Sequence, residues 1–291
     1  MNPAPFTYHK VGSVDEAIGL LGAHGADAKV LAGGHSLLPI MKLRLVEPDH
    51  LVDIGGVGEL RGIARSDDVL RIGALTTHHQ LERDPLVGEH ALLLAETAGL
   101  VGDRQVRNRG TIGGALAHAD AAADYPATIL ALDATIVARG AAGERRIAAP
   151  DFFVDLLTTA LEPDELLTAI EVPVLPVGSG GSYQKLANQA SGYAVVGVAA
   201  VLVLDDAGRC AEARVGVTGA VAAGRRAAET ENALRAQELS AAVLHAAAAR
   251  VADGLDLLDD LHASAEYRRR VLVGLTLRAL TSAAERAKAR R

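Results

Sequence analysis

Cysteine is almost absent from this chain: Cys210 is the only one in 291 residues. A lone thiol excludes an internal disulfide, and it excludes an iron–sulfur cluster held by this chain alone, which needs several thiolates. Tryptophan is missing and aromatic residues make up 3% of the chain. Excess positive charge is missing too. The net charge of -7, with no basic block interleaved with aromatics, argues against a nucleic-acid partner. The longest apolar run, Ala194 to Leu204, is too short to span a bilayer. The start Met1-Asn2-Pro3-Ala4-Pro5 has neither the charged nor the apolar region of a signal peptide. These absences lead us to expect a soluble, cytoplasmic protein. Several catalytic signatures are absent as well. Gly56-Val57-Gly58-Glu59-Leu60-Arg61 lacks the third glycine of a dinucleotide fingerprint, and there is neither a Walker A loop nor a G-x-S-x-G elbow. Metal ligation by His118, Asp120 and Asp124, or by His78 and His79, finds no regular element that gathers them, so surface or capping roles are expected and no metal.

What the chain does have is ample apolar material, 49%, enough for a sizeable core. Its length suggests two domains. Ser13-Val14-Asp15-Glu16 is a capping-box pattern that opens a helix ending near residues 22 to 25. Ala28 to Leu31, Leu51 to Ile54, Leu70 to Gly73 and Leu166 to Val172 read as strands, and Leu81 to Ala98 as a helix. Pro173 to Gly181 reads as a linker. Beyond it, Ser182 to Leu186, Ala194 to Leu204 and Ala211 to Thr218 read as strands, the last two joined by the turn Asp205-Asp206-Ala207-Gly208. The alanine-rich stretch from about Ala227 to the end reads as helical. The fold class expected is α+β, with domains at 1–177 and 178–291.

The most telling feature is a pair of glycine-rich patches about 75 residues apart. One is Ala32-Gly33-Gly34-His35-Ser36-Leu37; the other is Thr111-Ile112-Gly113-Gly114, preceded by Arg107-Asn108-Arg109-Gly110. Paired glycines let backbone N–H groups converge on the oxygens of a phosphate. Either patch alone would pass for an ordinary turn. Two of them suggest a long, phosphate-bearing cofactor held at two places.

In this order the patches resemble those of the FAD-binding medium subunits of the molybdenum hydroxylases, and within that family its carbon monoxide dehydrogenase branch. The resemblance runs through Lys29 to Pro39, Lys42-Leu43-Arg44, the second patch, Ala117-His118-Ala119-Asp120, Asp124-Tyr125-Pro126, Tyr183-Gln184-Lys185 and Tyr193. It implies a two-part FAD-binding domain of the PCMH type, then a small α+β domain with an antiparallel sheet and helices that covers the flavin. It also implies that residues 32–36 and 111–114 hold the FAD diphosphate, with Ser36 and Thr111 adding hydroxyls. Asp124 matches a carboxylate that bonds the flavin's polar portion, and Lys185 a lysine near the isoalloxazine. Tyr193, where many relatives carry Asp, matches a ring that covers one isoalloxazine face. Lys29 and Leu167 are further carry-overs, through position and backbone. From the residues alone, Asp124 reads nearly as well as a helix N-cap, Lys185 as a solvated strand lysine and Tyr193 as a core or interface tyrosine. His35 stands where many relatives have Thr, which favours the carbon monoxide branch, and the family's FAD is non-covalent. The resemblance further implies a large molybdenum-cofactor subunit and a small iron–sulfur subunit, assembled as a dimer of heterotrimers. Electrons would pass to a quinone or other acceptor, and any membrane association would be peripheral, at the inner face. Two other readings stay open: a stand-alone flavoenzyme acting on a small molecule, and a cofactor-free assembly subunit.

Overall fold

The structure, a computed structural model, describes residues 2–291. Its first unit is β1 (Thr7–Lys10), α1 (Val14–His24), β2 (Ala28–Leu31), α2 (Leu37–Lys42) and β3 (His50–Asp53), with the strands in a parallel sheet of order β1-β3-β2. The helix starts where the capping pattern placed it. Ser13 Oγ accepts the N–H of Glu16 at 3.2 Å, while the Glu16 carboxylate reaches past Ser13 to the N–H of Gly12 at 2.8 Å. Val14, Ala17, Ile18 and Leu21 form one stripe of α1 and are buried against Ala28 and Val52 of the sheet and Ile54 just after β3.

β4 (Ile63–Ser66) and β5 (Val69–Gly73) begin a second, antiparallel sheet of order β4-β5-β10-β6-β7. Six helices separate β5 from β6: α3 (His78–Arg83), α4 (Pro85–His90), α5 (Leu92–Leu100), α6 (Arg104–Arg109), α7 (Ile112–His118) and α8 (Tyr125–Ala131). The single helix expected over Leu81 to Ala98 is therefore three. Pro85 cannot donate into a continuing helix, and Asp84 restarts the chain by accepting the N–H groups of Leu86 and Val87. The sheet is completed by β6 (Thr135–Gly140), β7 (Gly143–Ala148) and, after the short α9 (Ala149–Phe152), β8 (Phe153–Asp155) and β9 (Thr158–Thr159), by β10 (Leu166–Pro173).

The C-terminal part is an antiparallel sheet, β11 (Ser179–Ala187), β12 (Ala194–Leu204), β13 (Cys210–Thr218) and β14 (Arg225–Arg226), followed by α10 (Ala228–Leu234), α11 (Ala241–Ala248) and α12 (Ala265–Ala289). Two expectations change. Ser179, Gly180 and Gly181 are not linker but the first residues of β11, paired with Val203, Leu202 and Val201. The tail is not one helical run, since residues 249–264 are turns and irregular backbone between α11 and α12. The hairpin turn at 205–208 is where it was expected, with Gly208 at φ +81°.

This sheet is buried on both faces, α12 lying on one and α8 of the preceding unit on the other. Tyr183, Ala199, Val201 and Ala223 join the same apolar core as α5, α8 and β10, so the two halves share a core. The contact with α8 depends on Gly216, where a Cβ would stand 2.1 Å from the carbonyl oxygen of Ala127. Gly216→Ala is expected to lower stability by about 1–3 kcal/mol, the cost of overpacking against backbone that cannot swing away. A lowered Tm of the purified chain would show it. The Cys210 thiol is buried and its pKa is pushed up to about 11, mainly by desolvation, so it serves as a small apolar group. No helix among the described residues is long and apolar enough to cross a membrane.

Candidate cofactor-binding site

The first glycine patch leaves the parallel sheet where β2 ends, opposite Asp53 of β3. Gly34 turns the chain at φ +78°, and its carbonyl accepts the N–H of Leu38 at 3.1 Å as α2 begins. Among the described residues, the N–H groups of Gly33, Gly34, His35, Ser36 and Leu37 have no acceptor. A run of free donors of this kind is a nest for an anion with several oxygens. The cleft beside it, about 290 Å³, is lined by Lys10, Leu31, Ala32, Gly33, Asp53 and Arg109 among others.

Gly33 explains how patches so far apart in sequence meet. A Cβ there would lie 2.2 Å from the carbonyl oxygen of Arg109 and 2.9 Å from the Cα of Gly110. Only a bare backbone lets the first loop rest on the residues leading into the second. In the second loop, Thr111 caps α7 through its Oγ1, which accepts the N–H of Gly114 at 3.2 Å. The N–H groups of Ile112 and Gly113 donate to the carbonyls of Thr76 (3.0 Å) and Ala74 (2.9 Å). The glycines of this loop thus serve close packing more than donation: a Cβ at Gly113 would be 2.6 Å from that of Ala74. Ala32 faces Gly114, its Cβ 3.8 Å from where a Gly114 Cβ would stand. Leu167 is buried in the core that holds Ile112, next to Thr168, whose carbonyl accepts the N–H of Ala74. Lys29 is exposed on β2 opposite Leu51.

Beside the loops lies a buried polar network. Asp124 opens α8, but its side chain does not cap that helix. It accepts instead the Tyr183 hydroxyl at 2.6 Å and lies 3.0 Å from Lys185 Nζ. The Lys185 ammonium also donates to the carbonyls of Leu100 (2.7 Å) and Gly192 (2.8 Å). Its side chain is 7% exposed and that of Asp124 5%, so Lys185 is not a solvated strand residue. Burial raises the Asp124 carboxyl pKa, while Lys185 and the Tyr183 hydroxyl pull it back. Tyr193 follows Gly192 and is 40% exposed, so it is not a core tyrosine. Its pKa is raised, first by burial and then by the charge of Asp120, while Ser36 of the first loop pulls it back. The network therefore ties β11 of the C-terminal sheet to Asp124 at the start of α8 and to the end of α5.

For His78 the sequence suggests a surface or capping role, and it is instead buried. Its Nδ1 shares a hydrogen bond of 2.9 Å with the hydroxyl of buried Tyr125, and its Nε2 would lie 2.5 Å from a Cβ at Gly110. Desolvation first, then the charges of His35 and Arg107, lower its pKa to about 4. A histidine held neutral in the fold but protonated in the unfolded chain loses its stabilising effect as pH falls from 6.5 to 4. At about 1.4 kcal/mol per pH unit, the loss approaches about 3 kcal/mol. We expect His78→Gln to flatten that arm of the stability–pH curve, as read by urea unfolding at several pH values. The sequence gives no sign that His78 pairs with Tyr125, which enters there only within Asp124-Tyr125-Pro126; the fold gathers three of the five tyrosines, Tyr125, Tyr183 and Tyr193, around this site.

The donor nest, the buried carboxylate and the flat exposed tyrosine ring suit a long ligand with a diphosphate, hydroxyls and an aromatic end. Residues 4–175 match the family of FAD-binding domains in molybdopterin dehydrogenases. The chain belongs to that family. Residues 181–283 match the carbon monoxide dehydrogenase flavoprotein C-terminal domain. The chain is 40% identical to the 6-hydroxypseudooxynicotine dehydrogenase complex subunit alpha of Paenarthrobacter nicotinovorans, over 99% of this chain and 97% of that one. It is also 40% identical to the carbon monoxide dehydrogenase medium chain of Afipia carboxidovorans, over 100% of this chain and 99% of that one. Among solved structures, carbon monoxide dehydrogenase from Hydrogenophaga pseudoflava superposes with a TM-score of 0.95 at 40% identity, covering 98% of this chain and 99% of its counterpart. The protein is a medium, FAD-carrying subunit of an oxidoreductase of the molybdenum hydroxylase family, with the two-part FAD-binding domain and antiparallel C-terminal sheet of that family.

Proposed function

We propose that this medium subunit transfers electrons within a three-subunit molybdenum hydroxylase of the carbon monoxide dehydrogenase type. Its partners are a large molybdenum-cofactor subunit and a small iron–sulfur subunit, arranged as a dimer of heterotrimers in the cytoplasm, peripheral at the inner membrane face. The observation that carries the reading is the contact of the two glycine loops, with the buried Asp124–Lys185–Tyr183 network at the start of α8. Bound FAD would supply the redox chemistry that links the partner's clusters to an external acceptor such as a quinone. The chain's residues bind and orient. The free N–H groups of residues 33–37, with that of Thr111, hold the diphosphate, helped by the Ser36 hydroxyl. Asp124 accepts from flavin hydroxyls, and Tyr193 covers one ring face. Lys185 spends its donors on Asp124 and two backbone carbonyls, so it fixes the Gly192–Tyr193 turn beside Asp124 and the end of α5. In this reading residues 1–177 bind FAD, with Lys29 and Leu167 at its margin, and residues 178–291 cover it.

The equal identity to a relative named for 6-hydroxypseudooxynicotine favours a second reading of the substrate, in which a heteroaromatic compound replaces carbon monoxide. Capture of this chain from its native cells tests the proposal. We expect flavin and iron–sulfur absorption together, with one large and one small partner, and bleaching of the flavin by carbon monoxide without added partners. Bleaching by the heteroaromatic substrate alone selects the second reading. A lone yellow protein that turns over a small molecule, or a colourless chain that still brings both partners, overturns the electron-transfer assignment.

A further inference from the structure

Away from the cofactor loops, three of the ten histidines of the chain meet at one end of the parallel sheet. Side chains alternate along a strand, so Thr7 and His9 share a face of β1. Thr7 pairs with His50 on β3, which places His9 and His50 diagonally on that same face. On β3 this is also the face of Val52, buried under α1, and α1 ends with His24. The three rings are half-buried and each offers a nitrogen within 4.8 Å of the others. His9 Nε2 is 2.9 Å from His50 Nδ1, and the His24 and His50 rings stack at 3.6 Å.

We propose that His9, His24 and His50 form a site for a divalent late transition metal, with zinc as the reference ion. Imidazole nitrogen is the ligand type that suits such ions, and three protein nitrogens plus a water complete a tetrahedron. With metal–nitrogen distances of about 2.0–2.1 Å, ligand nitrogens lie about 3.4 Å apart. The His9–His50 pair needs to open by about half an ångström, and His24 must turn out of its stack so that its lone pair lies in line with the ion. His24 has room for this, since it is the last, half-exposed residue of α1. The carbonyl end of that helix also favours a cation nearby. Bound metal would join β1, α1 and β3 by one cross-link and so brace the frame from which the first glycine loop projects. No electron or group transfer is assigned to it.

The full chain with its FAD, stripped by a chelator, incubated with zinc chloride and desalted, provides the test. Metal content by plasma mass spectrometry is expected to be one zinc per chain for the unaltered protein. His24→Gln and His50→Gln should each lose it while keeping their FAD, and His79→Gln should keep it. Cobalt(II) should give the intense visible bands of a four-coordinate site in the unaltered chain and not in His24→Gln. Failure of the unaltered chain to retain zinc overturns the proposal, and so does retention by both the His24 and His50 variants. FAD content is read separately, so this failure is distinct from failure of the cofactor assignment.

Discussion

Lys185→Met is expected to cost about 3–5 kcal/mol of folding stability at pH 7, the range found when one partner of a buried ion pair is removed. The side chain keeps its length and loses its charge. Asp124 is then buried with the Tyr183 hydroxyl as its remaining partner, and the carbonyls of Leu100 and Gly192 lose a donor. The pH dependence has a definite sign. Burial already raises the Asp124 pKa above its ordinary value, and removing Lys185 raises it further. A carboxyl with a raised folded-state pKa binds its proton more readily in the fold than in the unfolded chain. Its penalty is therefore absent below the ordinary value near 3.8, grows as pH rises from there towards the folded pKa, and is full above it. The variant should consequently be closer to the unaltered protein near pH 4, at the ordinary carboxyl value, than at pH 7, as measured by urea unfolding at both. Adding Asp124→Asn should recover much of the loss, because a neutral amide tolerates burial better than an unpaired carboxylate. A variant equally stable at both pH values, or no recovery in the double variant, would mean that the pair does not carry this charge balance. The same variant frees Gly192, so the Tyr193 turn should loosen and FAD should dissociate faster.

Gly33→Val is expected to leave the purified chain colourless. Its Cβ would meet the carbonyl oxygen of Arg109 at 2.2 Å, and backbone cannot move aside as a flexible side chain would. The first loop would be lifted off the second, and the donors of residues 33–37 would no longer converge. Gly22→Ala, inside α1 with nothing within 4 Å of its added Cβ, is the matched control and should stay yellow. Flavin absorbance per chain after gel filtration reads both, with circular dichroism to confirm that each variant is folded. A folded Gly33→Val chain with a full complement of FAD would remove the first loop from the diphosphate site.

Much of the fold was legible in the sequence because its signals are local. Ser13 and Glu16 mark the start of α1, and Asp205 to Gly208 mark a tight turn. The unbroken apolar run 194–204 becomes β12, buried on both faces. The misreadings share a cause: residues that look like breakers or linkers have packing roles. Gly180 and Gly181 read as linker, yet they pair within β11 beneath α12. Asp84-Pro85 read as helix interior, yet it separates two helices.

The site shows the same division. The sequence by itself determined where glycine loops stand, that one cysteine cannot build a cluster relay, and, through the ordered motifs, which family the chain resembles. Those properties depend on residue identity and short-range spacing. Only the tertiary structure decided that Gly33 lies on Arg109, that Asp124 is paired with Lys185 and Tyr183 rather than capping α8, and that His78 is a buried neutral partner of Tyr125. It also brought His9, His24 and His50 together from three elements. Each of these depends on how far a side chain is removed from water and on which distant residue meets it there. Those are properties of the packed chain, set by long-range contacts that no local pattern encodes.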